Sequence, residues 1–524
     1  MNVETAGFTT EALFSLPPGC IPDAVTSDGH VVAFWPQPDG RLRFVWDGVA
    51  GEPFDGLMEM RDKSSAVFSS DDGAHVAYVG TRGDRTFVGR DGGEDPSVSV
   101  FSRSVPPVFS PGGIHLAYGA SQSGDDVRLV LDGRVIGELP IAPIAAVFSP
   151  DGERLAYAEI RTLAKGSHEC RIVLDGIAGE WFDGIRNAVG AMQFSPDSHR
   201  FAHFRVDGKG HCQWVVDGVA QRLANEVPTV SLARLRRIGA MEPPLAACFS
   251  PDSRRFAYFA DVFEKGVAII EDDVAGPLFK GVGMPVFSPD SRHMAYLAQT
   301  HAKTLTLVLD GTPGPEWSGS WGPSPTFSAD SRRVAVTLAR EDGNFLRRRH
   351  LVALAVDGHI LTEVPGDDAS MELAFSPDGE RVAWWVRRGE ITEVMVNESP
   401  HTGAAIAHSE PVFTRTGRLV YGAIMVPDGQ VTIMVDGRPG PLADVLSNPQ
   451  RTIGLRGDRS TLPFAISPDG EHVAWAGSFG DECRPVIDDR VGPPFDQVVS
   501  WAFGQAETVF WYAQRGDIVY RVTA

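Results

Sequence analysis

Short apolar stretches alternate with turn-forming residues along the whole chain, and the alternation repeats. It reads VFSPDGERLAYA at 147–158, CFSPDSRRFAYF at 248–259, VFSPDSRHMAYL at 286–297 and AFSPDGERVAWW at 374–385. Looser copies stand at 108–119, 193–204, 326–337 and 465–476, and degenerate ones begin at Val25, Val67, Val412 and Phe503. With the Phe position as marker, twelve units run from 25 to 503 in eleven steps of about 43.5 residues, the period of a four-stranded propeller blade.

A second phrase lies between the markers, as in VWDGVAGEPFDGL from Val45 and VLDGIAGEWFDGI from Val173. Together the two phrases predict one blade. An apolar stretch ending in Phe-Ser is strand one, and Ser-Pro-Asp-Gly is a turn in which Pro presets φ and Gly accepts a positive φ. The Leu-Ala-Tyr segment is strand two. Strand three ends at an Asp-Gly hairpin, after which strand four follows. Asp-Gly occurs in eight units, and Asp272-Asp273, Asn397-Glu398 and Asp488-Asp489 replace it in three.

Strand two carries Ala at one place in ten units, usually followed by Phe, Tyr or Trp. Alternate strand residues face opposite sides of a sheet, so a methyl on one face and a ring on the other let blades interlock. These aromatics are expected to be core and not a ligand cage.

The FSPDG-x-x-x-A-aromatic phrase resembles the repeat of TolB-like propellers, also called WD40-like or PD40 repeats, over essentially the whole chain. The resemblance implies an all-β propeller. No counterpart of the small N-terminal α/β domain of TolB is expected, because repeats begin by residue 25. A TolB-like role in envelope transport is therefore not expected. Twelve units predict two six-bladed rings, residues 1–282 and 283–524, with one large closed ring of twelve as the alternative. The last unit has three strands of its own, and an N-terminal strand over 11–16 is expected to complete it.

Net charge is −21, from 47 Lys+Arg against 68 Asp+Glu. Such a surface repels nucleic acid and anionic membranes, and neither binding to nucleic acid nor insertion into a membrane is expected. The five cysteines form no CxxC pair, which argues against a disulfide framework and a zinc site and for a reducing, cytoplasmic setting. The MNVETAGFTTEALF start has no export-signal pattern.

Chemistry is harder to find. There is no Gly-x-Ser-x-Gly, His-Glu-x-x-His, P-loop or EF-hand loop. His30, His75, His115, His199, His293 and His472 follow the first turn and read as solvated turn residues. The Asp of that turn reads as a turn-former. No catalytic residue, cofactor or metal site is predicted.

Function is expected in the loops, because the repeats are packed on both faces. Two units are long, with extra residues at 221–245 and 442–463. The first carries Arg234, Arg236 and Arg237, with Leu232, Leu235 and Ile238 at helical spacing. A second basic run is Arg347, Arg348 and Arg349. Both runs are candidates for contact with an acidic protein partner. The expected function is a non-catalytic scaffold for protein–protein interaction. The alternative is a propeller enzyme, a hydrolase or lyase acting on a sugar, lactone or peptide, with a channel site built from several blades.

Overall fold

A computed structural model describes all residues except 1–2, 6, 59–65, 95–99, 102–104, 122–126, 139–144, 164–167, 184–191, 207–211, 222–246, 263–265, 302–303, 320–321, 345–346, 370–372, 402–404, 408, 427, 448–462 and 504–507. The described residues form strands and turns, with no helix among them.

Blade 4 shows how sequence becomes strand order. Strand one (Ala146–Phe148) pairs with strand two (Leu155–Thr162), which pairs with strand three (His168–Leu174) and then strand four (Ile177–Ala178). The Ser149 hydroxyl donates to the Asp151 carboxylate at 2.5 Å and accepts the Arg154 backbone N–H at 2.9 Å. The same carboxylate accepts the Glu153 N–H, so the turn is closed by bonds among its own residues. At the second hairpin Asp175 and Gly176 both have positive φ, 51° and 78°, the type I′ geometry that Asp-Gly favours.

The expected interlock is present. Ala33, Ala77, Ala117, Ala156, Ala202, Ala257, Ala295, Ala335, Ala383 and Ala474 are all at 0% exposure, so a larger side chain at any of them would meet the next sheet. The neighbouring rings Tyr118, Tyr296, Trp384 and Trp475 are buried as well, as is Tyr421, which follows Val420 in blade 10. They are core.

Of the two ring arrangements, the chain adopts the single ring of twelve. Each apolar core cluster joins two consecutive blades, and the series runs unbroken from blade 1 to blade 12. A last cluster joins blade 12 back to blade 1 through Leu16, Cys20, Val31, Ala33, Val45 and Val519. Paired six-bladed rings would need blade 6 against blade 1 and blade 7 against blade 12. Instead Ala257 and Ile269 of blade 6 share a core with Met294 and Tyr296 of blade 7. The physical reason is uniformity. The methyl-against-ring packing is the same at this junction as elsewhere, so blade 6 offers no different face on which a smaller ring could close.

Closure uses the N-terminus. Blade 12 supplies Gln497–Phe503, Val509–Arg515 and Ile518–Thr523, and its fourth strand is Phe8–Ser15, antiparallel to Ile518–Thr523. The expected strand over 11–16 is thus present but begins three residues earlier. Phe8 is fully buried against blade 11, while Leu13 and Phe14 pack towards blade 1.

Polar groups fasten the seams. The expectation that the histidines after the turn are simply solvated needs correction. His30, His75, His115, His293 and His472 each place Nδ1 2.6–2.8 Å from the Asp that opens the second hairpin of the same blade. His199 is the exception, because Arg200 beside it takes the role and bonds Asp217 at 2.8 Å. Where the residue is Arg, it also reaches the next blade. Arg154 donates to the Ser198 and His199 carbonyls, and Arg200 to those of Ser253 and Arg254. Ser198, Ser253 and Ser291 replace the turn glycine at φ of 63–66°, and each hydroxyl accepts the turn-Asp N–H of the preceding blade. That bond offsets a strain that glycine would avoid.

Candidate functional site

First strands of neighbouring blades approach within 8 Å between Cα atoms, at blades 12/1, 3/4, 4/5 and 9/10, which places these strands on the inner side of the ring. They are interrupted at one recurrent place. In blade 2, Gly56–Leu57 and Val67–Ser69 both pair with Val76–Arg82. In blade 11, Val445–Leu446 and Phe464–Ile466 both pair with Val473–Phe479. The 442–463 addition is therefore an interruption of an inner strand, with residues 448–462 themselves outside the described set. The 221–245 addition lies between strand four of blade 5 (Val219–Ala220) and strand one of blade 6 (Ala247–Phe249). Arg234, Arg236, Arg237 and the expected short helix lie outside the described residues.

Arg347, Arg348 and Arg349 are in strand rather than in a loop. Strands two and three of blade 8, Val334–Asn344 and Arg347–Val356, have 11 and 10 residues, against five to eight in the other blades. Asn344 pairs with Arg347, Gly343 with Arg348 and Asp342 with Arg349. The basic run thus occupies the end of a two-stranded ribbon that outruns its neighbours. Strand two begins at the Ser328-Ala329-Asp330 turn and runs away from it, so the ribbon extends from the opposite face of the ring. At its base Arg340 pairs with Glu363 on strand four (His359–Pro365), with Nη2 2.7 Å from Oε2.

Three ionisable groups withdrawn from solvent, Glu159 buried and His203 and Asp23 partly so, carry no signal of their own in the sequence. His203 takes the aromatic place in strand two of blade 5, stacks between Phe182 and Phe201, and leaves Nδ1 without a partner among the described residues. Burial lowers its pKa to about 4, so it behaves as a neutral ring. In blade 4, Glu159 is only 5% exposed and bonds Arg171, while Arg171 and Arg161 flank the Trp181 ring at 4.6 and 4.1 Å. The signal for this cluster is alternation of charge at every second strand residue, visible only once Glu159 and Arg171 are known to be paired.

The third group is Asp23 at the closing seam. Its carboxylate accepts the Phe34 N–H at 2.6 Å, and burial raises its pKa to about 6 against the pull of that bond. Nearby, Gln514 and Gln497 of blade 12 donate to the Cys20 and Pro22 carbonyls. Because the folded-state pKa lies above the unfolded value, Asp23 stabilises least when ionised. Its contribution falls as pH rises from about 4 through about 6, then stays flat. Asp23→Asn keeps an acceptor for Phe34. It is expected to add about 1–2 kcal/mol at pH near 7.5, discounted for partial solvent access, and almost nothing near pH 4. Urea unfolding at both pH values measures the difference.

No protein-family model matches this chain, and no curated protein matches it. Among solved structures, a eukaryotic initiation factor aligns at 12% identity and a TM-score of 0.36, covering 72% of this chain and 93% of that one. Hydrazine synthase of Kuenenia stuttgartiensis aligns at 14% identity and 0.23, covering 63% and 94%. TolB of Acinetobacter baumannii aligns at 15% and 0.21, covering 65% and 81%. Likenesses at this level carry no argument about this chain.

Proposed function

We propose that this twelve-bladed ring is a non-catalytic scaffold of PD40-type repeats that holds an acidic protein partner. One observation carries the reading: the blade 8 ribbon, whose Arg347, Arg348 and Arg349 stand where the chain leaves its own repeat. The repeated Ser, Asp, His and Arg groups are engaged in turns and seams, so the repeat leaves binding to its departures. Arg234, Arg236 and Arg237 belong to the same proposed surface by composition. On a chain of net charge −21, a local run of arginines is where an acidic partner meets least repulsion. The four described cysteines that are free thiols support a reducing, cytoplasmic setting.

The enzyme reading, a hydrolase or lyase on a sugar, lactone or peptide, draws on the interrupted inner strands, since such segments can gather side chains around one axis.

The test compares the full chain with a variant carrying Arg347→Ser, Arg348→Ser and Arg349→Ser. Both are used as bait, with melting temperature measured in parallel. The scaffold reading expects an unchanged melting temperature and loss of a partner that the full chain recovers. Recovery of the same partners by both proteins contradicts the ribbon's role.

A further inference from the structure

The outer halves of blades 6 and 7 leave a cleft of about 650 Å³ between them. Ile269, Val274 and Met294 give it apolar walls, and Val274 is 69% exposed, so the mouth is open. Glu271, Asp272 and Asp310 also line it, with no Lys or Arg in the lining.

This junction departs from the other seams in one respect. The residue before the second hairpin is Trp, Leu, Val or Ile in nine of eleven units, and the exceptions are Arg90 and Glu271. In blades 4, 5 and 8, the arginine after the first turn bonds the hairpin Asp. In blade 6, Arg255 bonds Glu271 Oε1 instead, while its Nη1 still reaches the Ser291 carbonyl of blade 7 at 2.8 Å. Two carboxylate oxygens are thereby released. Asp272 Oδ1 accepts the Phe256 N–H at 3.0 Å, but Asp272 Oδ2 and Glu271 Oε2 have no partner among the described residues. Asp310, by contrast, is committed to His293 and the Met294 N–H.

The second observation is a hydroxyl. Tyr296 is 1% exposed and lines the cleft, yet its oxygen has no hydrogen-bond partner among the described residues. It lies beside Gly276, another lining residue, where an added Cβ would stand 3.2 Å from it. A buried hydroxyl without a partner costs stability unless something that enters the site completes it.

We propose that this cleft binds a small aliphatic amine, with its ammonium held by Glu271 and Asp272, its hydrocarbon body on Ile269, Val274 and Met294, and the Tyr296 hydroxyl completed by it. No three His, Cys, Asp or Glu groups among the described residues lie close enough to hold a metal ion, so the carboxylates suit an extended cation and not a compact one. An ammonium supplies donors for both free oxygens, and charge-assisted bonds of this kind are stronger than neutral ones. The proposal stands apart from the scaffold reading and does not depend on it. The same chemistry could arrive on a free amine or on the lysine of a partner.

Titration calorimetry on the full chain tests it, with 1,6-diaminohexane as probe and 1,6-hexanediol as the uncharged control. Saturable binding of the diamine, absent for the diol, is expected. Glu271→Gln and Asp272→Asn should each weaken it about tenfold. Asp39→Asn, at an exposed carboxylate of blade 1, should leave it unchanged. Tyr296→Phe should weaken binding without lowering the melting temperature, an outcome that a purely structural tyrosine would not give. A capped lysine that binds more tightly than the diamine assigns the site to a protein side chain, and weaker binding assigns it to a free amine. No saturable binding, equal binding of the diol, or equal loss in Asp39→Asn overturns the proposal.

Discussion

A chain that begins at Ile21 is expected to lose about 5 kcal/mol or more of stability and to lack a cooperative melt at physiological temperature, which calorimetry will show. The deletion removes the fourth strand of blade 12, Phe8–Ser15, and its pairing to Ile518–Thr523. It takes away Phe8, at 0% exposure against blade 11, and Leu16 and Cys20, at 3% and 1% in the junction with blade 1. Truncating one buried Phe or Leu costs about 2–5 kcal/mol, and a domain's whole stability is about 5–15 kcal/mol. In a closed ring this loss falls at the one place where chain connectivity does not hold neighbours together. Every other junction is crossed by continuous backbone, whereas the end of the chain is tied to its start only by non-covalent contacts, of which the N-terminal strand supplies a large share beside the direct packing of Val519 on Val31 and Val45. Adding residues 1–20 in trans as a peptide should restore part of the melt, since the strand is held by its own edge pairing. A truncated chain that melts like the full one would show that blade 12 does not depend on this strand.

Trp384→Ala is expected to cost about 3–5 kcal/mol by denaturant unfolding, while Ile177→Ser at a hairpin tip should change stability by less than about 0.5 kcal/mol. Trp384 is at 0% exposure in the core shared by blades 8 and 9, and its Nε1 donates to the Asn397 carbonyl at 3.0 Å. Its loss leaves both a cavity and an unpaired acceptor. Ile177 is equally apolar but 76% exposed. If the strand-two rings formed a ligand cage, Trp384→Ala would spare stability and abolish binding. The packing predicts the reverse order of effects.

The sequence made the blade legible because a blade is a local object. Ser149, Asp151 and Arg154 close their turn within six residues, and Asp175-Gly176 sets its hairpin without help from elsewhere. The strand-two Ala and its aromatic neighbour also announce themselves, because packing on both faces repeats in every unit. Ring size is not local. It depends on how far neighbouring sheets splay, a quantity that twelve near-identical junctions set jointly and that no single residue reports. The usual blade number favours two rings, and the shared core of blades 6 and 7 and the closing core between blades 12 and 1 decide against them.

Polar seams were hidden for a related reason. His293 looked like a surface residue because its partner Asp310 lies on another strand of the blade. Arg154 looked the same, although it reaches across to Ser198 of the next blade. The blade 6/7 cleft did leave a trace, a charged Glu271 where other units are apolar, but its meaning appears only when Arg255 is seen to turn towards it. Of the proposed contact residues, Arg347–Arg349 became interpretable because the register puts them on an elongated ribbon.

All twelve blades form one ring, closed by the N-terminal strand between blade 12 and blade 1. Electron-microscopy class averages of the intact chain test it most directly. A single closed ring predicts single wide discs with one central opening and twelve radial divisions. Pairs of smaller discs, each with its own opening, would contradict it.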